Sequence, residues 1–197
     1  MSKDATSGNG MDSTVCAKSR PGFFSDRRGS TAMEFAMLAI PFALLVFAIL
    51  ESCISFAGQE VMANATDDVA RQLRTGQIQK SNVTDSSIKQ LICNRLQIMV
   101  AQNCPGLQVD LREYSSFANA ATAGFRISGN QIILTQGGSD TNFTVAPGLA
   151  ESINMLRVFY KWPVMTDLLA KQMQNFNDGT TLHFASVTWQ NEPFDDN

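Results

Sequence analysis

The chain has 197 residues, 44% of them apolar and 17% charged, with a net charge of −3. That apolar content excludes a disordered chain, and 15 Lys+Arg against 18 Asp+Glu build no basic field for nucleic acid. A single histidine, His183, leaves little material for histidine-based acid–base chemistry.

The averages hide an asymmetry. Residues 1–34 are polar, whereas residues 35–50 carry no polar side chain. As a helix, the apolar run covers about 24 Å, slightly less than the roughly 30 Å of a hydrocarbon core. Adding residues 52–57 makes it long enough, at the cost of carrying Glu51. That carboxylate is expected near the far interface, in reach of headgroups and water. Pro41 removes one helix hydrogen bond and is expected to bend the segment. Residues 32–57 therefore read as a membrane helix. Lys18, Arg20, Arg27 and Arg28 lie upstream, and the first downstream basic residue is Arg71. The positive flank stays in the cytoplasm, so the C-terminal part is expected to be translocated.

Helical periodicity continues past the membrane segment. Val61, Ala65, Val69 and Leu73 recur at helical spacing, Arg71 and Arg74 sit in the last turn, and Gly76 is placed as a stop. Thr84 or Asp85 can cap a second helix. Its apolar stripe holds Ile88, Leu91, Ile92, Leu96, Met99 and Val100. Alternation of Leu107, Val109 and Leu111 with Gln108, Asp110 and Arg112 predicts a half-buried strand. Residues 115–150 are rich in Ser, Asn, Gly, Ala and Thr and read as a long loop with a short strand near 131–135. Residues 153–162 predict a strand closed by Pro163. Residues 164–175 predict a short helix with Leu168 and Leu169 inward, and 181–190 a last strand. The expected fold class is α+β. A long N-terminal membrane helix continues into a domain with a small antiparallel sheet and two or more helices.

The four cysteines divide by compartment. Cys16 lies in the leader and Cys53 in the membrane segment, while Cys93 and Cys104 fall in the translocated part. An oxidising compartment favours a structural disulfide between those two. Pairing requires the second helix to stop early enough for the chain to fold back, with the Cα atoms within about 7 Å. A metal or redox pair is the alternative, but two thiols and a distant lone histidine make no zinc set.

The junction ahead of the apolar run reads Arg27-Arg28-Gly29-Ser30-Thr31-Ala32-Met33-Glu34-Phe35. A carboxylate at the mouth of a membrane helix is a functional hypothesis by default. The plain alternative is a snorkelling Glu34 favoured by the helix dipole. The segment looks like a type IV prepilin processing site, Gly followed by four residues and Glu-Phe. In such proteins a membrane aspartic peptidase cuts after the Gly on the cytoplasmic side. Resemblance makes Gly29 and Ser30 the cleaved pair, Ser30 the new first residue and Glu34 the fifth, with Phe35 opening the helix. Ala32, Ala36, Ala39 and Ala43 form a small-residue stripe that suits close helix approach or a lipid-facing surface equally.

The stretch from Arg28 to about Ala70 resembles the TadE-like proteins of tight-adherence (Flp-type) pilus systems. Val109-Asp-Leu-Arg-Glu-Tyr114 with Phe117 is similar to the family's middle strand. Arg157-Val-Phe-Tyr160-Lys-Trp162-Pro163, Gly179 and the closing Asn191-Glu192-Pro193-Phe194 look like its C-terminal signature. The resemblance implies a noncatalytic pilin-like or pseudopilin-like assembly component of the bacterial inner membrane. It divides the chain into a cytoplasmic leader (1–29), a transmembrane helix (30–57) and a periplasmic α+β domain (58–197). Implied partners are the inner membrane, a prepilin peptidase, a TadF-like protein and the major pilin or other pilus subunits. Nucleic acid and small-molecule substrates are not expected, and neither are cofactors or metals.

Two rival classes were weighed. An enzyme lacks motif support: the sequence holds no serine elbow, phosphate loop or His-Glu-x-x-His stretch. His183 reads as a polar-face strand residue, and Tyr160 and Trp162 as core and sheet face. A secreted binding domain is the other rival, with residues 1–57 as a signal peptide and small residues at Ser55 and Ala57 before the cut. The length of the apolar run and the unbroken helical stripe oppose it.

Overall fold

The computed structural model describes residues 30–166 and 171–194. The chain divides into two compact units, Met1–Ala43 and Leu44–Asn197. Helix α1, Ser30–Arg74, begins in the first unit; its remainder and all later elements belong to the second. Pro41 lies inside α1. The helix ends where Gly76 takes a φ of +70°, a left-handed conformation that glycine adopts without the Cβ penalty.

Helix α2, Asp85–Leu96, starts at Thr84. The Thr84 side chain accepts from the Ser87 N–H while Ser87 reaches back to the Thr84 N–H, a reciprocal cap. The helix stops at Leu96, short of the expected stripe to Val100. Asn103 (φ 63°) and Cys104 (φ 44°) then turn the chain back in left-handed conformations. Cys93 and Cys104 are joined in a disulfide with their Cα atoms 5.7 Å apart.

Strands β1 (Gln108–Tyr114), β6 (Ile153–Pro163) and β7 (Thr180–Gln190) form an antiparallel sheet. The short β5 (Val145–Ala146) adds to it in parallel beside β1, giving the order β5-β1-β6-β7. A second sheet holds β2 (Ala123–Ser128), β3 (Gln131–Gln136) and β4 (Ser139–Thr141). A short helix α3, Phe117–Ala120, precedes it.

This second sheet bears out the short strand expected near 131–135, which is β3, and overturns the reading of the rest of 115–150 as loop. Its strands are short and mostly half-exposed, so few apolar side chains announce them. Their turns are tight. Gly129 (φ 60°) opens a two-residue hairpin between Ser128 and Gln131, and Gly137 and Gly138 (φ 55° and 88°) make the next. The small polar residues thus belong to hairpin turns as well as to loops.

The larger sheet is buried on both faces. Alternate residues of β6 divide accordingly. Leu156, Val158, Tyr160 and Trp162 join a core with Met62, Ala65, Val69 and Leu73 of α1 and Ile88, Ile92 and Leu96 of α2. Phe159 belongs instead to a second cluster with Ile132, Leu134 and Phe176, against which Phe125, Phe143 and Phe184 pack. Ring pairs Phe125–Phe159 and Phe159–Phe184 lie 5.1 and 4.8 Å apart. The order of layers is helices, four-stranded sheet, three-stranded sheet.

The expected helix over 164–175 is corrected at its start, since 164–166 are not helical. Residues 171–173 are helical; Leu168 and Leu169 lie outside the described residues.

Candidate membrane segment and assembly site

From Thr31 to Leu50, α1 presents large apolar side chains to its surroundings: Phe35, Met37, Leu38 and Phe42 are each more than 65% exposed. The helix is long and apolar enough to cross a membrane, and none of its apolar window is buried. Glu34 and Phe35 stand on the exposed first turns of this helix. Ser30 is its first residue, four positions before Glu34. Gly29 and the leader lie outside the described residues.

At Glu51 the character of the helix changes. Glu51, Ser55, Gly58, Met62, Ala65, Val69 and Leu73 are buried in turn, three or four residues apart, on one stripe. The first positions of the stripe are polar, and each is matched. Glu51 is 8% exposed, not at a wet interface as the sequence suggested. Its carboxylate accepts hydrogen bonds from the Met165 N–H, the Thr166 N–H (3.2 Å) and the Thr166 hydroxyl. Such bonds are what make a buried carboxylate tolerable.

One turn on, Ser55 Oγ lies 3.0 Å from His183 Nε2. His183 is buried, which corrects its reading as a polar-face residue, and its ring stacks on Trp162 at 4.8 Å. Burial pushes its pKa down from 6.5 to about 4, so the ring is neutral at pH 7. One further turn on, the Gln59 amide pairs with β7 much as a strand does. Its nitrogen donates to the Phe184 carbonyl (2.7 Å) and its oxygen accepts from the Phe184 N–H (3.2 Å). Between Ser55 and Gln59, Gly58 lets the Trp162 ring approach the helix backbone; a Cβ there would meet the ring at 2.5 Å.

Residues of the segments 157–163 and 191–194 hold the fold. Arg157 is 2% exposed and donates from Nη2 to Asp110 Oδ2 (2.8 Å) and from Nη1 to the Gly124 carbonyl (2.9 Å). Asp110 is fully buried; its other oxygen accepts from Arg112 Nε (2.8 Å) and the Thr144 N–H (3.1 Å). The cluster ties β1 and β6 to β2 and to the residue before β5. Tyr160 and Trp162 are core residues on the helix-facing side, and burial raises the Tyr160 pKa. Pro163 ends β6 and is exposed.

Asn191-Glu-Pro-Phe194 closes over the end of α1. The Glu192 N–H donates to the Arg74 carbonyl (2.9 Å), and its carboxylate lies 3.5 Å from Arg74 Nε. Phe194 covers Gly76 so closely that a Cβ there would meet the ring at 2.7 Å. Asn191 accepts from the Trp189 indole (2.7 Å) and donates to the Leu149 carbonyl (2.8 Å).

The residues singled out in the sequence thus fall into separate places. Glu34 and Phe35 are on the exposed helix, whereas Arg157, Tyr160, Trp162 and Asn191 are buried in the domain. The Glu51–Ser55–Gln59 stripe went unread in the sequence. Its signal was present as three hydrogen-bonding residues at four-residue spacing on a helix face that is otherwise apolar. Among the described residues, no three His, Cys, Asp or Glu side chains converge as a metal set.

No curated protein and no solved structure matches the chain. Its N-terminal segment does find a relative: residues 29–71, from the Gly-Ser junction through most of α1, match the model of the family described as TadE-like protein, the family that the sequence resembles.

Proposed function

We propose that the protein is a noncatalytic, single-pass component of a tight-adherence pilus system, a minor pilin or pseudopilin-like subunit anchored in the inner membrane. The observation that carries this reading is the coincidence of three features on one helix. The helix opens on Ser30-x-x-x-Glu34-Phe35, with Gly29 before it in the sequence, exposes an apolar surface over residues 31–50, and lies for most of its length within the segment matched by the family. Twenty helical residues have a length of about 30 Å, the thickness of a hydrocarbon core. The span in this reading is residues 31–50, somewhat shorter than 30–57, because from Glu51 the helix is already packed on its own domain. The basic leader stays cytoplasmic and the domain is periplasmic.

A prepilin peptidase cuts after Gly29 in this reading. Hydrolysis of the Gly29–Ser30 bond leaves a carboxylate on Gly29 and an α-ammonium on Ser30, one helical turn from the side-chain carboxylate of Glu34. The Ser30–Glu34 pair neutralises within a chain or between neighbouring helices, which eases the burial of both. A TadF-like protein and the major pilin are the proposed protein partners. Secretion after Ala57 is supported less well, because that cut would remove Glu51 and Ser55 from the groups they bond.

The test is Glu34→Ala. Insertion and folding of the outer domain are expected to stay intact, and pili counted by electron microscopy to be lost. Normal piliation in that variant would contradict the role given to Glu34.

A further inference from the structure

We propose that residues 163–166, the connection leaving β6, form a bilayer-contacting surface in which Met165, with Ile54 and Phe56 of α1, rests in the outer headgroup region of the membrane. This rests on the reading of α1 as a membrane span. The committed occupant is lipid.

The placement comes from Glu51. It follows directly on the exposed apolar run, and it holds the backbone of Met165 and Thr166 against α1. The Glu51 carboxylate therefore fixes the height of the connection along the helix. Counting about 1.5 Å per residue from residue 31, Glu51 stands about 30 Å along the axis, where the hydrocarbon core ends. The headgroup layer beyond it is about 5–8 Å deep, which takes in the next turn of the helix, as far as about Phe56.

The residues of α1 and of the connection that lie next to Glu51 are apolar or uncharged. Met165 is 74% exposed although its backbone is tethered, so its side chain points away from the packed interior. Phe56 is 70% and Ile54 44% exposed; Ile54 lies one turn beyond Leu50 and Phe56 two turns beyond Ile49, so the exposed apolar sides of α1 run on past Glu51. Residues 163–166 read Pro-Val-Met-Thr and carry no charge. Between Leu50 and Gln59 the sequence holds one charged residue, Glu51, and it is buried. Pro163 has no N–H to leave unpaired at a membrane surface. Elsewhere in the domain the exposed large apolar side chains Ile98, Phe117 and Leu149 sit in separate segments, as is normal for single surface residues. At Glu51 they adjoin the helix that enters the membrane. Glu51 also gains from the arrangement, since the connection lies between its carboxylate and the lipid.

The experiment uses the full chain with Cys16→Ala and Cys53→Ala, reconstituted in phosphatidylcholine–phosphatidylglycerol vesicles. Single cysteines are introduced by Met165→Cys, Phe42→Cys or Asn142→Cys and labelled with an environment-sensitive fluorophore. Brominated phosphatidylcholine is expected to quench the labels at 165 and 42 by roughly twofold and to leave the one at 142 unchanged. Adding Glu51→Ala is expected to reduce quenching at 165 while leaving that at 42 unaltered. A label at 165 quenched by aqueous iodide and not by bromolipid, with 42 still quenched by bromolipid, would overturn the proposal and leave the span intact. A label at 165 shielded from both quenchers would mean a protein neighbour covers the surface, and would also overturn it. An unquenched label at 42 would remove the membrane span and the proposal together.

Discussion

Arg157 and Asp110 show what buried charge does in this molecule. Asp110 has no exposed surface, and its two oxygens are occupied by Arg157, Arg112 and a backbone N–H. Replacing such a pair with apolar groups can be neutral, but removing one partner strands the other. Arg157→Ala is therefore expected to cost about 3–5 kcal/mol, measured by chemical denaturation of the full chain in detergent. A cost below about 1 kcal/mol would mean that Asp110 finds other compensation. His183 makes a different prediction. Its pKa is about 4 in the folded chain, because burial disfavours the imidazolium, against 6.5 when unfolded. Between those values the unfolded chain binds a proton that the folded chain does not. The stability His183 permits is thus complete above pH 6.5 and is lost as pH falls toward 4, by up to about 3 kcal/mol. Denaturation of the parent chain across that range, compared with His183→Gln, isolates the effect; parallel pH profiles would contradict it. In the sequence His183 looked like a surface residue of an alternating strand, because burial came from a helix more than a hundred residues away. Long-range partners are what a local pattern cannot display.

At the scale of elements, α1 is two helices in one. Its first part exposes apolar side chains, and its second buries a stripe that begins polar and turns apolar at Met62. The helix period and the Gly76 stop were legible because apolar spacing and glycine chemistry are local. So were α2 with its Thr84 cap, β1, β6 and β7, whose apolar residues recur with the period of their structure. Of the second sheet only β3 is legible, as the short strand near 131–135. β2 and β4 are short, and their Gly-Asn and Gly-Gly turns are indistinguishable in composition from the polar residues around them. The disulfide fastens the end of α2 to the entry of β1. Closing so short a loop restricts the unfolded chain by about 3 kcal/mol in the chain-entropy model. Cys93→Ser with Cys104→Ser is expected to lower stability by about 2–4 kcal/mol, and reduction of the parent chain by a comparable amount. Equal stability of the oxidised and reduced chains would show that the bond adds nothing to the folded state.

For the whole molecule, the domain is continuous with the second part of α1. The Glu51, Ser55 and Gln59 bonds begin directly after the exposed run, with no linker between. The closing Asn191-Glu-Pro-Phe194 returns to the far end of the same helix. Segments 157–163 and 191–194 therefore read as residues that clamp a small α+β domain along α1. In the proposed function the end that acts is the other one, at Glu34. The central claim is that this end is processed as a prepilin. The most direct test is the N-terminus of the protein purified from its native membranes, by intact mass and terminal peptide sequencing. The account predicts a chain that starts at Ser30. A chain that starts at Gly58 or retains Met1 would contradict it.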